Sequence, residues 1–191
     1  AQKGDVYMNL KGLTVNFLGD SITEGHGTTA PDKTFLYLVE QKHGLKIARN
    51  YGMGGTRIAV QTKPSLTTKH DLTFELRSTV MDKNADLIVV FGGTNDYGHG
   101  TIPLGSFKDR DIHTFYGGMH NLCQYLISEY TGKTIVFMTP IHRMEEKKFD
   151  WSDISTDLIY FIRAIREVCE YYSIPVLDMY KWMNCHGKNE D

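Results

Sequence analysis

Asp86-Leu-Ile-Val-Val-Phe91 is followed at once by Gly92-Gly-Thr-Asn-Asp96. A half-buried strand alternates apolar and polar residues. An unbroken apolar run ending in turn residues reads instead as a strand buried on both faces, as in parallel sheets. On either side, Leu13-Thr-Val-Asn-Phe-Leu18, Lys46–Asn50, Thr134-Ile-Val-Phe-Met-Thr139 and Ile174-Pro-Val-Leu177 read as further strands. Helical patterns lie between them. One runs from Thr34 to Lys42 with Gly44 as C-cap, and Thr114 caps another that has Phe115, Met119, Leu122 and Leu126 on one face. Ser152–Tyr172 carries Leu158, Ile162, Ile165 and Cys169 in register. In the less clear segment 56–84, Leu72, Leu76 and Val80 are spaced by four and suggest one more helix. Alternating strands and helices predict an α/β fold, with a parallel sheet, helices on both faces and right-handed crossovers. Residues 94–113 are expected to be a long irregular excursion from the carboxyl end of the central strand. Ligands of open α/β sheets bind there, so residues 97–113 are expected to wall the pocket.

Composition excludes several classes. The 191 residues are 41% hydrophobic and 23% charged, which fits one domain with one sizeable core. A net charge of -2 offers no basic face for nucleic acid. Apolar runs are too short to cross a bilayer as helices. The start, Ala1-Gln-Lys-Gly-Asp-Val-Tyr7, lacks the apolar stretch of a signal peptide, and Met8 leads straight into the first strand as a candidate natural start. Cys123, Cys169 and Cys185 are odd in number and show no C-x-x-C spacing. Two fall on apolar helix positions and read as buried inert thiols, compatible with a reducing, cytoplasmic compartment. No His, Asp or Glu group has metal-ligand spacing, so neither metal nor cofactor is expected. The sequence leaves the oligomeric state open.

Three turns carry the chemistry. Gly19-Asp20-Ser21-Ile22-Thr23 follows the first strand and presents a serine at the sheet's carboxyl edge. Asn50-Tyr-Gly-Met-Gly-Gly-Thr-Arg57 follows the second strand, where glycines let the backbone come close to a ligand. A Rossmann fingerprint fails here, because Arg57 stands where a third glycine is required. Gly92-Gly-Thr-Asn-Asp96 places Asn95, whose amide can donate to developing negative charge. Taken singly, each is also an ordinary turn.

Together the three segments resemble the SGNH hydrolases, the GDSL esterase/lipase family. Gly19-Asp20-Ser21-Ile22-Thr23 resembles the family's first block, Asn50-x-Gly52-x-x-Gly55 its second and Gly93-Thr94-Asn95-Asp96 its third. The resemblance covers most of the chain. It implies a three-layer α/β/α sandwich around a five-stranded parallel sheet in flavodoxin-like order. It also implies Ser21 as nucleophile and Gly55 and Asn95 as oxyanion donors, in two-step acyl transfer from a small acyl ester. Acetyl-carbohydrates, short-chain lipids and thioesters all fit that class. The rival readings are a non-catalytic ligand- or glycan-binding module and a flavodoxin-like nucleotide binder, the latter without a phosphate loop.

The chain departs from the family in its fourth block, an Asp-x-x-His near the C-terminus, which does not follow Leu177. Residues 1–191 are therefore expected to be one SGNH-type domain, truncated before that block and its terminal helix. The sheet would then end at its last strand with one face partly uncovered, and this exact chain would be poorly active. His186 is a weak substitute, and Asp96-Tyr-Gly-His99 reads as a chance match. His26 and His99 are candidates for the pocket lining or for solvated loops. Asp20 is expected to shape the serine turn, and Asp96 to brace the Asn95 loop. His113, His120 and His142 read as surface or helix positions, and Tyr171 and Tyr172 as core.

Overall fold

A computed structural model describes residues 8–144, 146 and 157–183. Five parallel strands form one sheet: β1 (Thr14–Gly19), β2 (Ile47–Gly52), β3 (Leu87–Phe91), β4 (Thr134–Met138) and β5 (Val176–Leu177). Their order is β2-β1-β3-β4-β5. Direction reverses between β1 and β3, so their carboxyl ends flank the topological switch point where such sheets bind ligands. Ser21 and Asn95 lie just past those two ends. The register pairs Gly19 with Gly52 on one side and with Phe91 on the other, so the three turns leave the sheet at one level.

The unbroken run Leu87–Phe91 is buried throughout, as its composition predicts. Leu18, Ile88, Val90 and Phe137 face a core built with α3 (Phe74–Ser78), α5 (Phe115–Glu129) and α6 (Leu158–Tyr171). Val15, Phe17, Leu87, Val89 and Phe91 face Leu36 of α2 (Phe35–His43) on the other side. Two covered faces explain why the strands read as continuous apolar runs. The two shortest helices, α1 (Ser21–Glu24) and α4 (Thr94–His99), sit on the carboxyl edge itself. Gly44 ends α2 at φ 66, and Thr114 Oγ1 accepts the Gly117 N–H to start α5.

Several expectations need correction. The helix inferred from Leu72, Leu76 and Val80 exists as the short α3, but those three residues are exposed. The buried face is Phe74, Arg77, Ser78 and Met81, the i, i+3, i+4, i+7 set one step out of phase. Two of its members are polar, which hid it from an apolar count. The stretch 94–113 is not irregular throughout, because α4 occupies its start. The chain does not stop at its last strand: α7 (Met179–Trp182) follows, with Asp178 as N-cap, and Met179 packs on the α2 side of the sheet. His120 is not a surface residue. It is fully buried in α5, with Nδ1 on the Tyr172 hydroxyl at 3.0 Å and Nε2 on the Phe107 carbonyl at 2.9 Å. Tyr171 is exposed rather than core. His113 sets Nδ1 on the Val60 carbonyl, and His142 stacks on Tyr180. Cys123 and Cys169 are buried free thiols, and Cys185 lies outside the described residues.

Candidate active site

The serine turn is held by its neighbours. Asp20 caps α1, its Oδ1 accepting the Ile22 N–H at 3.0 Å. Burial pushes its carboxyl up to about 6, against the pull of the Ile22 bond and of Arg77 and Arg143. The α1 backbone lies directly on the end of β2. A Cβ at Gly52 would stand 2.1 Å from the Glu24 nitrogen, so only glycine allows this approach. Beneath the turn, Arg77 Nη2 donates to the Gly19 carbonyl at 2.7 Å and Nη1 to the Tyr51 carbonyl at 2.8 Å. Those carbonyls lie at or near the ends of β1 and β2, and the Gly19 carbonyl also accepts the Met53 N–H at 3.1 Å. Burial lowers the guanidinium to about 10, which leaves it protonated at neutral pH.

The second turn passes close to the serine. A Cβ at Gly54 would lie 3.5 Å from Ser21 Cβ, and the Gly54 N–H donates to Glu24 Oε2 at 2.8 Å. Gly55 has φ 77, a left-handed conformation that disfavours side chains. Its absent side chain is replaced by a ring: Cδ2 and Nε2 of His70 lie 2.4 Å from where a Gly55 Cβ would be.

The third turn starts α4 after Gly93. Asn95 Nδ2 donates to the Thr56 carbonyl at 3.0 Å, which ties the second and third turns together. An amide nitrogen carries two N–H groups, so one remains for a ligand. Asp96 adds a clamp: its carboxylate accepts the Ile58 N–H at 3.0 Å and the Ala59 N–H at 3.0 Å. Burial pushes this carboxyl up to about 6 despite those bonds. Arg143 Nη1 donates to the Thr94 carbonyl at 2.8 Å and holds the far side of α4.

Ser21, Gly55 and Asn95 line one cleft of about 820 Å³, together with Glu24, His26, Arg57 and His99. The expected wall, residues 97–113, contributes only His99 and Thr101. The wall comes instead from the segment after β2, with Gln61, Lys63 through Thr67, Lys69 and His70. Side-chain clasps fix it in place. Gln61 Oε1 accepts the Thr101 N–H at 2.8 Å, while Ser65 Oγ donates to Asp71 at 2.6 Å and accepts from Arg57 Nη1 at 3.0 Å. His70, absent from the candidates drawn from sequence, is carried on a 3-10 turn, Thr68–Asp71. No family block covers it, and only its proximity to Gly55 marks it. His186 lies outside the described residues. No group of three or more potential metal ligands occurs among the described residues. No helix among them is long and apolar enough to cross a membrane.

The GDSL-like Lipase/Acylhydrolase family model matches residues 17–191. The chain belongs to that family. It is an ester hydrolase of GDSL type, in which a serine nucleophile and an oxyanion hole are typical. No curated protein sequence matches it. One solved structure, 29% identical, aligns over 91% of this chain and 80% of its own with a TM-score of 0.77. A protein from Lactobacillus plantarum is 25% identical over 91% of this chain and 79% of that one, with a TM-score of 0.71. An acetyl xylan esterase, 21% identical over 88% of this chain and 78% of its own, has a TM-score of 0.59 and shares the fold.

Proposed function

We propose that this GDSL hydrolase cleaves small acyl esters through an acyl-enzyme on Ser21. The observation that carries the reading is the convergence of Ser21, Gly55 and Asn95, from three separate strand ends, on one cleft. Ser21 Oγ attacks the ester carbonyl, and the alcohol leaves as the acyl-enzyme forms. Water then attacks the same carbon and releases the acid. The Ser21 and Gly55 N–H groups and the free N–H of Asn95 receive the oxyanion. Each such donor is worth about 10²–10³ in rate. A serine hydroxyl needs a base to take its proton. Among the described residues the cleft offers His26, His70 and His99 as imidazoles. A cleft of about 820 Å³ suits a small ester. The acyl group is expected to be short, acetyl being the simplest case.

Two measurements test this together: labelling by a fluorophosphonate probe, and hydrolysis of a short-chain aryl ester. Labelling should map to Ser21, and Ser21→Ala should abolish both signals. Hydrolysis that survives in Ser21→Ala, or a label on another residue, overturns the assignment.

A further inference from the structure

We propose that the ester taken by this cleft is anionic on its alcohol side, and that Lys63 and Lys69 read that charge. The proposal rests on the reading that Ser21 carries the chemistry. The chain as a whole holds 23 acidic and 21 basic residues. Among the described residues its cleft reverses the balance: Arg57, Lys63 and Lys69 line it against Glu24 alone, with His26, His70 and His99 between them.

These charges are not equivalent. Arg57 is buried and its Nη1 is spent on Ser65, while its charge acts on the Asp71 and Asp96 carboxyls. It is largely balanced from behind. Glu24 is engaged by the Gly54 N–H at the serine end. Lys63 and Lys69 make no ion pair among the described residues. Both are exposed, so their ammonium groups are open to a ligand.

Their backbone is nevertheless fixed. Lys63 lies between Gln61, bonded to Thr101, and Ser65, clasped by Asp71. Lys69 lies on the same 3-10 turn as His70, which stands against Gly55. Two unpaired cations on one fixed wall, facing a shared cleft, raise the local concentration of anions. An acetyl-sized acyl group carries no charge, so the matching anion must belong to the alcohol portion. A carboxylate, sulfate or phosphate on that portion meets the requirement equally, because rim ammonium groups act as point charges rather than forks.

The test uses two pairs of molecules that differ in charge and hardly in shape. 4-Acetamidobenzoate and 4-acetamidobenzamide resist hydrolysis and report binding by chemical-shift titration of the 191-residue chain. 4-Acetoxybenzoate and 4-acetoxybenzamide are the corresponding esters, with rates normalised to their uncatalysed hydrolysis. At low salt the benzoate should bind about five-fold more tightly, the size expected of two exposed charges. High salt should remove the preference, and Lys63→Glu with Lys69→Glu should reverse it. Equal affinity, preference for the benzamide, no binding by either, or a preference that survives the double substitution overturns the proposal. The binding arm does not need turnover. A benzoate preference without Ser21-dependent hydrolysis would therefore sink the Ser21 reading and leave the charge selection standing.

Discussion

Two pairs of carboxyl groups along the carboxyl edge of the sheet, one pair in each half, are held in opposite ways. At the β1–β3 end, Asp20 and Asp96 accept backbone N–H groups and have no ion-pair partner among the described residues. Burial dominates there, and both are pushed up to about 6. At the β4–β5 end, burial also opposes ionisation of Glu146 and Asp178, but their donors outweigh it and both are held below the ordinary carboxylate range. Glu146 receives the Tyr180 hydroxyl, the Arg143 N–H and His142; Asp178 pairs with Arg166 at 2.7 Å and accepts from Thr139. The β1–β3 half thus uses its carboxyls only as clamps on backbone and accepts a desolvation cost. The distal half adds side-chain donors and a charged partner to its backbone bonds.

The largest expected effect separates the two arginines. Arg77→Met removes the buried charged donor to the Gly19 and Tyr51 carbonyls and strips Asp20 of the larger of its two compensating charges. Breaking buried charge networks of this kind costs about 3–5 kcal/mol. Arg166→Met removes a partly exposed pair and should cost about 1 kcal/mol or less. Urea unfolding of both variants measures the contrast. Equal losses would mean that the two halves are not held differently.

The next effect is a matter of pH. Asp96 has a folded pKa of about 6 against an ordinary value of 3.8. The native state therefore holds its proton more tightly than the unfolded chain. Its contribution is complete below the unfolded value and is lost as pH rises through about 6. The change across that window is at most about 2–3 kcal/mol. Asp96→Asn removes the term while keeping an oxygen for the Ile58 and Ala59 N–H groups. The stability of the natural chain relative to this variant should fall between pH 4 and pH 7. Glu146 and Asp178 carry the opposite sign: their contribution is present above the ordinary carboxylate value and is lost on acidification. If the difference between natural chain and Asp96→Asn does not change with pH, Asp96 ionises as readily folded as unfolded.

What could be read from sequence divides along the same edge. The strands were legible because burial on both faces leaves an apolar run, and the three turns because together, each just past a strand, they match the blocks of one family in order and spacing. The wall could not be read. Gln61, Ser65 and Asp71 are polar residues of ordinary loop composition, and they fix the wall only through bonds to one another, to Arg57 in the same segment and to Thr101 on distant chain. The phase of α3 was missed for a related reason. Arg77 is buried as a donor to two backbone carbonyls near the strand ends, and nothing in an apolar pattern announces that role. His120 reads as a surface or helix position and lies in α5, but its burial was hidden, since its partners Phe107 and Tyr172 come from elsewhere in the chain.

The smallest effect probes how tightly the β1–β3 half is fitted. Gly55→Ala carries two separable costs. The left-handed φ of 77 disfavours any Cβ by about 1–2 kcal/mol. The new methyl would also meet His70 at 2.4 Å, well inside contact distance. His70→Ala removes the second cost and leaves the first. The double variant should therefore be more stable than the sum of the single changes predicts, by about 1 kcal/mol. Strict additivity would show that His70 yields freely to the methyl, and that the wall after β2 is not fitted against the Gly55 turn.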